Sequence, residues 1–196
     1  MQEEIEGDSF NDENIAVVES LKRKVILLDP GHGGPDTGGI SNGLKEKDLV
    51  LFTSVLLAEL LIKCGAEVIF TRTDDSQVPL AERVKISEKY IADAVISLHY
   101  NTAINPINGT ETYYANAEKD MKLAKLIQSQ LVHHTGLHDR GIKHGEFFVN
   151  RNVKCPSVLV ELAFISNLKD QHQIKTLQFQ EQSAIAIFNA LSKYFE

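Results

Sequence analysis

Runs of consecutive apolar residues alternate along the chain with longer stretches in which apolar residues recur every three or four positions. Runs of the first kind are typical of strands buried on both faces of a sheet, and stretches of the second kind are typical of amphipathic helices. The buried strands that this pattern predicts are KVILL (24–28), EVIFTR (67–72), AVISLHYN (94–101) and PSVLVELAFISN (156–167).

Weaker strands and the helices complete the prediction. TETYYAN (110–116) alternates and is rich in β-formers, which indicates a strand nearer the sheet edge, and EFFVN (146–150) indicates a short strand. The periodic stretches predict helices over residues 45–64, 79–92, 118–135, 168–175 and 178–195. We therefore predict a single α/β domain with a mostly parallel, twisted sheet of about six strands, flanked by helices on both faces.

The first residues differ in composition from the rest. MQEEIEGDSFNDENIAVVES is acidic and poor in aromatics, and it has neither the basic start nor the apolar middle of a signal peptide. We interpret residues 1–23 as an acidic linker or leader and residues 24–196 as the folded domain. If the protein is exported, its targeting segment lies outside this sequence.

Composition narrows the possible partners. The 196 residues are 43% hydrophobic, enough for one full core. The formal charge is -7 and the Lys and Arg residues are scattered, so we expect no nucleic-acid partner. No apolar run approaches the roughly 20 residues that span a bilayer, so we expect no membrane span. Two cysteines, Cys64 and Cys155, are too few for a disulfide framework, and whether they pair stays open.

Polar residues stand at the carboxyl ends of three predicted strands. His32 follows KVILLDPG, His99 ends AVISL, and Glu161 ends SVLV. In open parallel sheets this edge is where ligands bind. Glu46 lies in the first turn of the next helix, and the loop between it and His32 is short enough to bring its carboxylate back to the same edge.

Two imidazoles, one carboxylate and a fourth position left to water form the ligand set of a catalytic zinc site. His32, Glu46 and His99 supply this set. Zinc lowers the pKa of bound water to about 7, and a glutamate that is not a ligand can take the proton and pass it to a leaving nitrogen. Glu161 is placed for that role, because it stands at the same edge of the sheet. A carboxylate inside LVELAF is also costly to bury without a partner or a metal nearby, which favours a functional role.

Each of these residues also has an ordinary structural explanation. A histidine after a strand is commonly a hydrogen-bonded loop residue, and a glutamate in the first turn of a helix is favoured by the helix dipole. The stretch GHGGPDTGG could instead cradle a phosphate. It lacks the Lys and the Ser or Thr of a phosphate loop and the glycine spacing of a dinucleotide site, and Asp29 and Asp36 would repel the anion.

Other polar residues favour structural roles. Arg72 and Asp74 are expected to form an ion pair after a strand, and Arg83 is expected to neutralise carboxylates on its own helix face. Asn101 and Asn167 lie just beyond His99 and Glu161, where an amide could orient a ligand or contact substrate. The other histidines lie in or near polar helix ends and loops.

Four motifs in order carry a resemblance to a known family. LDPGHGGPDTGG, KEKD, ISLHYN and LVELAFISN together closely resemble the zinc-dependent N-acetylmuramoyl-L-alanine amidases of bacterial cell walls, the amidase 3 group. The resemblance covers about residues 24–195. It implies that His32, Glu46 and His99 hold one Zn²⁺ per chain and that Glu161 is the catalytic acid/base.

The resemblance also implies a substrate and a location. The family cleaves the amide between the lactyl group of N-acetylmuramic acid and the L-alanine of the stem peptide, so we expect peptidoglycan as the partner and an extracellular or cell-wall location. We expect a monomer. Tyr100 and Thr102 stand where relatives often have alanine, and Ala163 where glycine is usual, which bears on the shape of the groove only.

The segment after the second histidine motif bears on regulation. Some relatives active in cell division carry an inserted helix there that plugs the zinc site, whereas only TAINPING separates the two strands here. We therefore expect a site that is open without an activator. Two other functions stay open on the sequence: a zinc peptidase acting on free peptides, and a non-catalytic peptidoglycan-binding module.

Overall fold

Eight strands and six α-helices follow one another in the computed structural model, which describes residues 19–104 and 106–196. The strands are β1 (Val25–Pro30), β2 (Ile40–Ser41), β3 (Leu44–Lys45), β4 (Glu67–Phe70), β5 (Ala94–Asn101), β6 (Thr110–Tyr114), β7 (Asp139–His144) and β8 (Ser157–Phe164). The helices are α1 (Glu46–Lys63), α2 (Leu80–Lys89), α3 (Ala117–Thr135), α4 (Phe148–Asn152), α5 (Leu168–Ile174) and α6 (Leu177–Phe195). A short 3₁₀ helix, Glu19–Leu21, precedes β1.

Six of the strands form one sheet in the order β4-β1-β5-β8-β6-β7. All neighbouring pairs are parallel except β6 and β8, which are antiparallel. The predicted α/β fold with a mostly parallel, six-stranded sheet is confirmed. The strand predicted nearer the edge is β6, which is one place from the edge. β2 and β3 form a separate two-stranded hairpin in the loop before α1.

Alternate residues of the central strands point into two different cores. Ile26 and Leu28 of β1 pack in the larger core, with apolar residues of α1, α3 and α6. Leu27 of β1 and Val95 of β5 pack in a smaller core with residues around α2 and α4, such as Val149. Because neighbouring residues of a strand point to opposite faces of the sheet, the helices cover both faces, as predicted.

One predicted strand is wrong. EFFVN was expected to be extended at residues 146–150, but α4 begins at Phe148. The edge strand lies earlier, at Asp139–His144, where most residues are half-buried or exposed. DRGIKH has a single large apolar residue, Ile142, which packs against the larger core, so the strand shows no apolar pattern. The aromatic and β-branched residues of FFV, in contrast, mimic a strand. In the structure Val149 packs in the smaller core from a short helix.

The predicted linker lies mostly outside the described residues, which begin at Glu19. Of its last residues, Leu21 is fully buried in the larger core. Cys64 and Cys155 are both free thiols, the first buried and the second half-buried. Among residues 19–104 and 106–196, none of the helices combines the length and the apolarity that crossing a bilayer requires.

Candidate active site

A cavity of about 510 Å³ opens at the carboxyl ends of β1, β5 and β8. His32, Glu46, His99 and Glu161, the four residues singled out in the sequence, all line it. β1 runs into the loop that carries His32, β5 carries His99, β8 carries Glu161, and Glu46 is the first residue of α1. Residues more than 100 positions apart therefore meet at one edge of the sheet.

Three of these residues form a group that could hold a metal ion, which we call the metal cluster. His32, Glu46 and His99 each offer one ligand atom, and these atoms all lie within 4.8 Å of one another. Nε2 of His32 and Nδ1 of His99 each lie 2.9 Å from Oε1 of Glu46. The two imidazole rings meet edge to face with centroids 4.9 Å apart. Two nitrogen donors and one carboxylate in this arrangement fit a catalytic zinc site.

Glycines make room for the cluster. A Cβ atom on Gly31 would lie 2.2 Å from the His99 ring, and one on Gly38 would lie 2.5 Å from Oε2 of Glu46 and 2.6 Å from His32. Gly38 also has a φ of +62°. The glycine-rich stretch therefore lets backbone approach the three side chains where any other residue would push them apart.

His32 is held in a backbone conformation that non-glycine residues rarely adopt. Its φ is 62°, and such outliers persist where the surroundings fix them. The carbonyl oxygen of His32 accepts a hydrogen bond from Arg83 Nη2 at 2.8 Å. Nδ1 of its ring lies 2.9 Å from Oδ2 of Asp36, which leaves Nε2 turned toward Glu46.

Glu46 is fixed and ionised by its surroundings. It is buried, and the backbone N–H groups of Gly39 and Tyr100 donate to its carboxylate at 2.7 and 3.0 Å. Although burial acts to raise its pKa, hydrogen bonds with His32 and His99 hold the pKa of Glu46 well below its ordinary value. A carboxylate that stays ionised and points at two imidazoles is suited to binding a cation.

Two buried arginines tie the histidine loop to the sheet, in roles that differ from those expected. Arg72 donates to the backbone carbonyls of Pro30, Gly31 and Lys47, and it meets Asp74 through that residue's backbone oxygen. Arg72 therefore stabilises the backbone of the histidine loop, because the carbonyl oxygens of this tight loop point toward it and need hydrogen-bond donors.

The second arginine was expected to neutralise carboxylates on its own helix, and that prediction is wrong. Arg83 donates to Oδ1 of Asp29 at 2.6 Å and to the carbonyl of Pro30 at 2.8 Å. Thr71 and Ser97 each donate to the Asp29 carboxylate at 2.7 Å. Asp29 thus links α2 to β1 and β5 directly beneath the loop that carries His32.

Glu161 lies beside the cluster without a partner of its own. It is about nine-tenths buried, and its Oε2 has no hydrogen-bond partner among the described residues. Burial, together with the charges of Glu46 and Glu111, raises the pKa of Glu161 well above its ordinary value. His99 on β5 and Glu111 on β6 are its register partners on either side. A buried carboxyl group with a raised pKa in a cavity is suited to proton transfer.

Glu111 has the opposite environment. Asn101, Tyr113 and Arg140 donate to its carboxylate at 2.8, 2.7 and 2.7 Å, and Lys143 binds it as well. Burial acts to raise its pKa, but these donors hold the pKa of Glu111 below its ordinary value. Glu111 is therefore a fixed anion, whereas Glu161 is not.

The remaining polar candidates do not reach the metal cluster. Asn101 donates to Glu111, and the Asn167 side chain caps the N-terminus of α5. His144 is exposed and lies 3.0 Å from Glu146. Sequence reasoning missed the parts played by Asp29, Asp36, Arg72 and Arg83. The contacts of Asp29, Arg72 and Arg83 join distant segments. Only Asp36, four residues after His32, left a local signal.

Comparisons with known proteins identify the family of the chain. The chain matches a family model described as N-acetylmuramoyl-L-alanine amidase, Amidase_3, over residues 26–193. It is 37% identical to the N-acetylmuramoyl-L-alanine amidase LytC of Bacillus subtilis over 188 residues, which cover 91% of this chain and 38% of LytC. The chain thus spans well under half the length of LytC.

Two solved structures have the same fold. The N-acetylmuramoyl-L-alanine amidase AmiC2 of Nostoc punctiforme superimposes with a TM-score of 0.84 at 32% identity, covering 87% of this chain and 96% of that one. The catalytic domain of the amidase CwlV from Bacillus (Paenibacillus) polymyxa gives a TM-score of 0.83 at 35% identity, covering 87% and 97%.

Proposed function

The chain belongs to the N-acetylmuramoyl-L-alanine amidase family, and we propose that it is a zinc-dependent hydrolase that cuts the amide between the lactyl group of N-acetylmuramic acid and L-alanine in peptidoglycan. One observation carries the proposal. Two imidazoles and an ionised carboxylate converge within 4.8 Å at the edge of a cavity that also holds an unpartnered glutamate.

The donor set fits a zinc ion. His32, Glu46 and His99 would hold it, through Nε2 of His32, Nδ1 of His99 and a carboxylate oxygen of Glu46. When bound, the metal would supply Lewis acidity to the lactyl carbonyl and lower the pKa of water. Asp36 fixes the His32 ring from behind, an arrangement that orients a ligand histidine and sets which nitrogen carries its proton.

Proton transfer falls to Glu161. We propose that its carboxylate takes a proton from the attacking water and later gives it to the departing alanine nitrogen. A group with this task works best when its pKa lies near the operating pH. Burial beside Glu46 and Glu111 moves the pKa of Glu161 upward from the ordinary glutamate value, in the direction that the task requires.

Access to the site supports a protein that acts without an activator. The side chains of His32 and His99 are 23% and 21% exposed. Of residues 102–109, those that the structure describes form no helix between β5 and β6. We propose that the chain acts as a monomer on the cell wall, outside the membrane. A much higher turnover on adding a division-complex activator would contradict the open site.

Mass spectrometry of products released from purified sacculi tests the proposed reaction. We expect peptides with a free N-terminal L-alanine and glycan strands whose muramic acid keeps its lactyl carboxylate. A zinc peptidase would instead cut within the peptide, and a binding module would release nothing. Protein treated with a chelator should release no peptide, and added zinc should restore release. Cleavage between any other pair of groups would overturn the proposal.

A further inference from the structure

The cavity extends from the metal cluster to a wall of three apolar side chains. Leu80 at the start of α2 and Phe147 and Phe148 at the start of α4 line it, and they are 54%, 39% and 40% exposed. Exposing large apolar side chains together is unfavourable unless a ligand or partner covers them. We call these three residues the apolar wall.

The apolar wall is held in position by its own contacts. Phe147 packs edge to face on Tyr113 with centroids 5.0 Å apart. A Cβ atom on Gly145 would lie 2.7 Å from the Phe147 ring and 2.8 Å from the Tyr113 ring, so the glycine permits this packing. Val149, next in the chain to Phe148, is buried in the smaller core and anchors the short helix. The aromatic rings are therefore presented to the cavity by a fixed support.

The side chains that line the cavity among the described residues offer an anionic occupant no free lysine or arginine. Arg83 is the only lysine or arginine among the described residues that line it, and its donors are taken by Asp29 and by backbone carbonyls. Four carboxyl groups line the same cavity, those of Asp29, Asp36, Glu46 and Glu161. The peptide half of the substrate carries at least its terminal carboxylate, and the three side chains of the apolar wall offer it no charged or hydrogen-bonding partner. The N-acetylmuramoyl group, on the other side of the amide bond, carries no charge.

One polar atom beside the wall also lacks a partner. Asn150 lines the cavity and is buried, and its Oδ1 accepts no hydrogen bond from any described residue, whereas its Nδ2 donates to Ser157. A sugar ring presents C–H faces that pack on aromatic rings. Its hydroxyl groups and its acetamido N–H can also donate hydrogen bonds, which an amide oxygen can accept. An alkyl chain would leave that oxygen unpaired.

From these observations we infer that the apolar wall is the subsite for the sugar ring of the muramoyl group. The inference rests on the proposed function and adds an orientation to it. The glycan half of the substrate lies along Leu80, Phe147 and Phe148, and the peptide leaves the metal cluster in another direction. The apolar wall then determines whether the enzyme requires the sugar or only the amide.

A pair of substrates that differ only in the sugar tests this inference. We compare kcat/KM on an N-acetylmuramoyl-L-alanyl dipeptide with kcat/KM on the N-lactoyl-L-alanyl dipeptide of the same sequence, for the wild type, Phe148→Ala and Leu80→Ala. The wild type should prefer the muramoyl substrate. Each substitution should raise KM for that substrate about tenfold with kcat nearly unchanged, and should leave the lactoyl substrate unaffected.

Phe52→Ala is the matched control. Phe52 lies on α1, is 45% exposed, and does not line the cavity, so its loss should change neither substrate. A muramoyl-to-lactoyl preference that is equal in wild type and variants, or a loss that is equal on both substrates, would overturn the sugar subsite while leaving the proposed function intact. Wild-type protein that cleaves neither substrate would overturn both.

Discussion

Glu161 and Glu111 show how contacts decide what a residue does. They are register partners on β8 and β6, and both are buried. Four side chains bind the Glu111 carboxylate, whereas Oε2 of Glu161 has no partner among the described residues. The pKa of Glu111 is accordingly lowered and that of Glu161 raised. The unpaired residue is the one available for chemistry, at a cost in stability.

Glu161→Gln should therefore separate activity from stability. The amide cannot take a proton, so turnover on peptidoglycan should fall by about 10²–10⁴-fold. Zinc content should stay at the wild-type level, and the thermal unfolding midpoint should be equal or higher because a buried carboxyl group without a partner is removed. Calorimetry, metal analysis and turnover on one preparation check all three. Near-normal turnover would rule out the assigned role.

Glu111→Gln is the matched comparison on the facing strand. It should lower the free energy of unfolding by about 1–3 kcal/mol, because Arg140 and Lys143 lose their charged partner. Since the folded-state pKa of Glu111 is lowered, its contribution is complete above the ordinary glutamate pKa and is lost as pH falls through the lowered value. The stability difference between wild type and variant should therefore shrink in acid. A constant difference across that range would contradict the assigned ionisation.

The glycines of the histidine loop give a second residue-scale prediction. Gly38→Ala should weaken zinc binding about 10- to 100-fold, since its Cβ would displace Glu46 and His32. Gly43 has a similar φ of +80° but nothing within 4 Å of an added Cβ. Gly43→Ala should therefore cost only the backbone strain of about 1–2 kcal/mol and leave zinc affinity unchanged. Competition with a chromophoric chelator measures the zinc affinity of both variants. An equal loss of zinc affinity in Gly38→Ala and Gly43→Ala would contradict the steric explanation.

At this scale the sequence predicts the residues that end strands. His32, His99 and Glu161 interrupt apolar runs, so each stands out without any knowledge of the fold. Arg83 does not, because its partner Asp29 lies 54 positions away and only the packing of α2 brings them together. A buried arginine among polar helix residues has no local signature.

At the scale of elements, α2 acts as a brace for the loop that carries His32. The helix places Arg83 under the loop, where its guanidinium holds Asp29 and the carbonyls of Pro30 and His32. Both partners of the Arg83–Asp29 pair are nearly inaccessible to solvent, with side chains 4% and 3% exposed. Breaking such a pair leaves an uncompensated buried charge.

Arg83→Met should lower the free energy of unfolding by about 3–5 kcal/mol, because Asp29 is left buried without its cation. Lys85→Met is the control on the same helix, since the Lys85 side chain is 70% exposed and pairs with Glu82, whose side chain is 51% exposed. That change should stay within about 0.5 kcal/mol of wild type. Urea denaturation of both variants checks the contrast, and a small loss for Arg83→Met would mean that the pair adds little.

Elements with two buried faces could be predicted from the sequence, and those at the edge could not. β5 and β8 are continuous apolar runs, and their bounds agree closely with the prediction. β7 is an edge strand whose residues are half-buried or exposed, so no apolar pattern marks it. α4 has five residues, too few for a helical period to show, and its first residue, Phe148, lines the cavity together with the preceding Phe147.

At the scale of the whole molecule, the metal cluster lies at the edge of a sheet that is packed between two apolar cores. The central strands are buried on both faces, by apolar side chains of the larger core on one face and of the smaller core on the other. A fold of this kind differs from small zinc domains, whose folding free energy comes from the metal. Removing the metal should therefore abolish activity while the protein stays folded.

Chelation should leave the far-ultraviolet circular dichroism spectrum unchanged and lower the unfolding midpoint. Bound zinc at 1,000 times its dissociation constant would stabilise the folded state by about 4 kcal/mol. Adding zinc back should restore the midpoint, while His99→Ala protein should show no zinc-dependent shift. Loss of the circular dichroism spectrum on chelation would contradict a preformed fold.

The central claim is that one ion, held by His32, Glu46 and His99, makes this chain an amidase. Titrating metal-free protein with zinc while counting the L-alanyl peptides released from sacculi tests it most directly. We predict that release starts from the background level, rises in proportion to added zinc, and reaches its plateau at one zinc per chain. Full release without zinc, or a plateau at any other ratio, would contradict the claim.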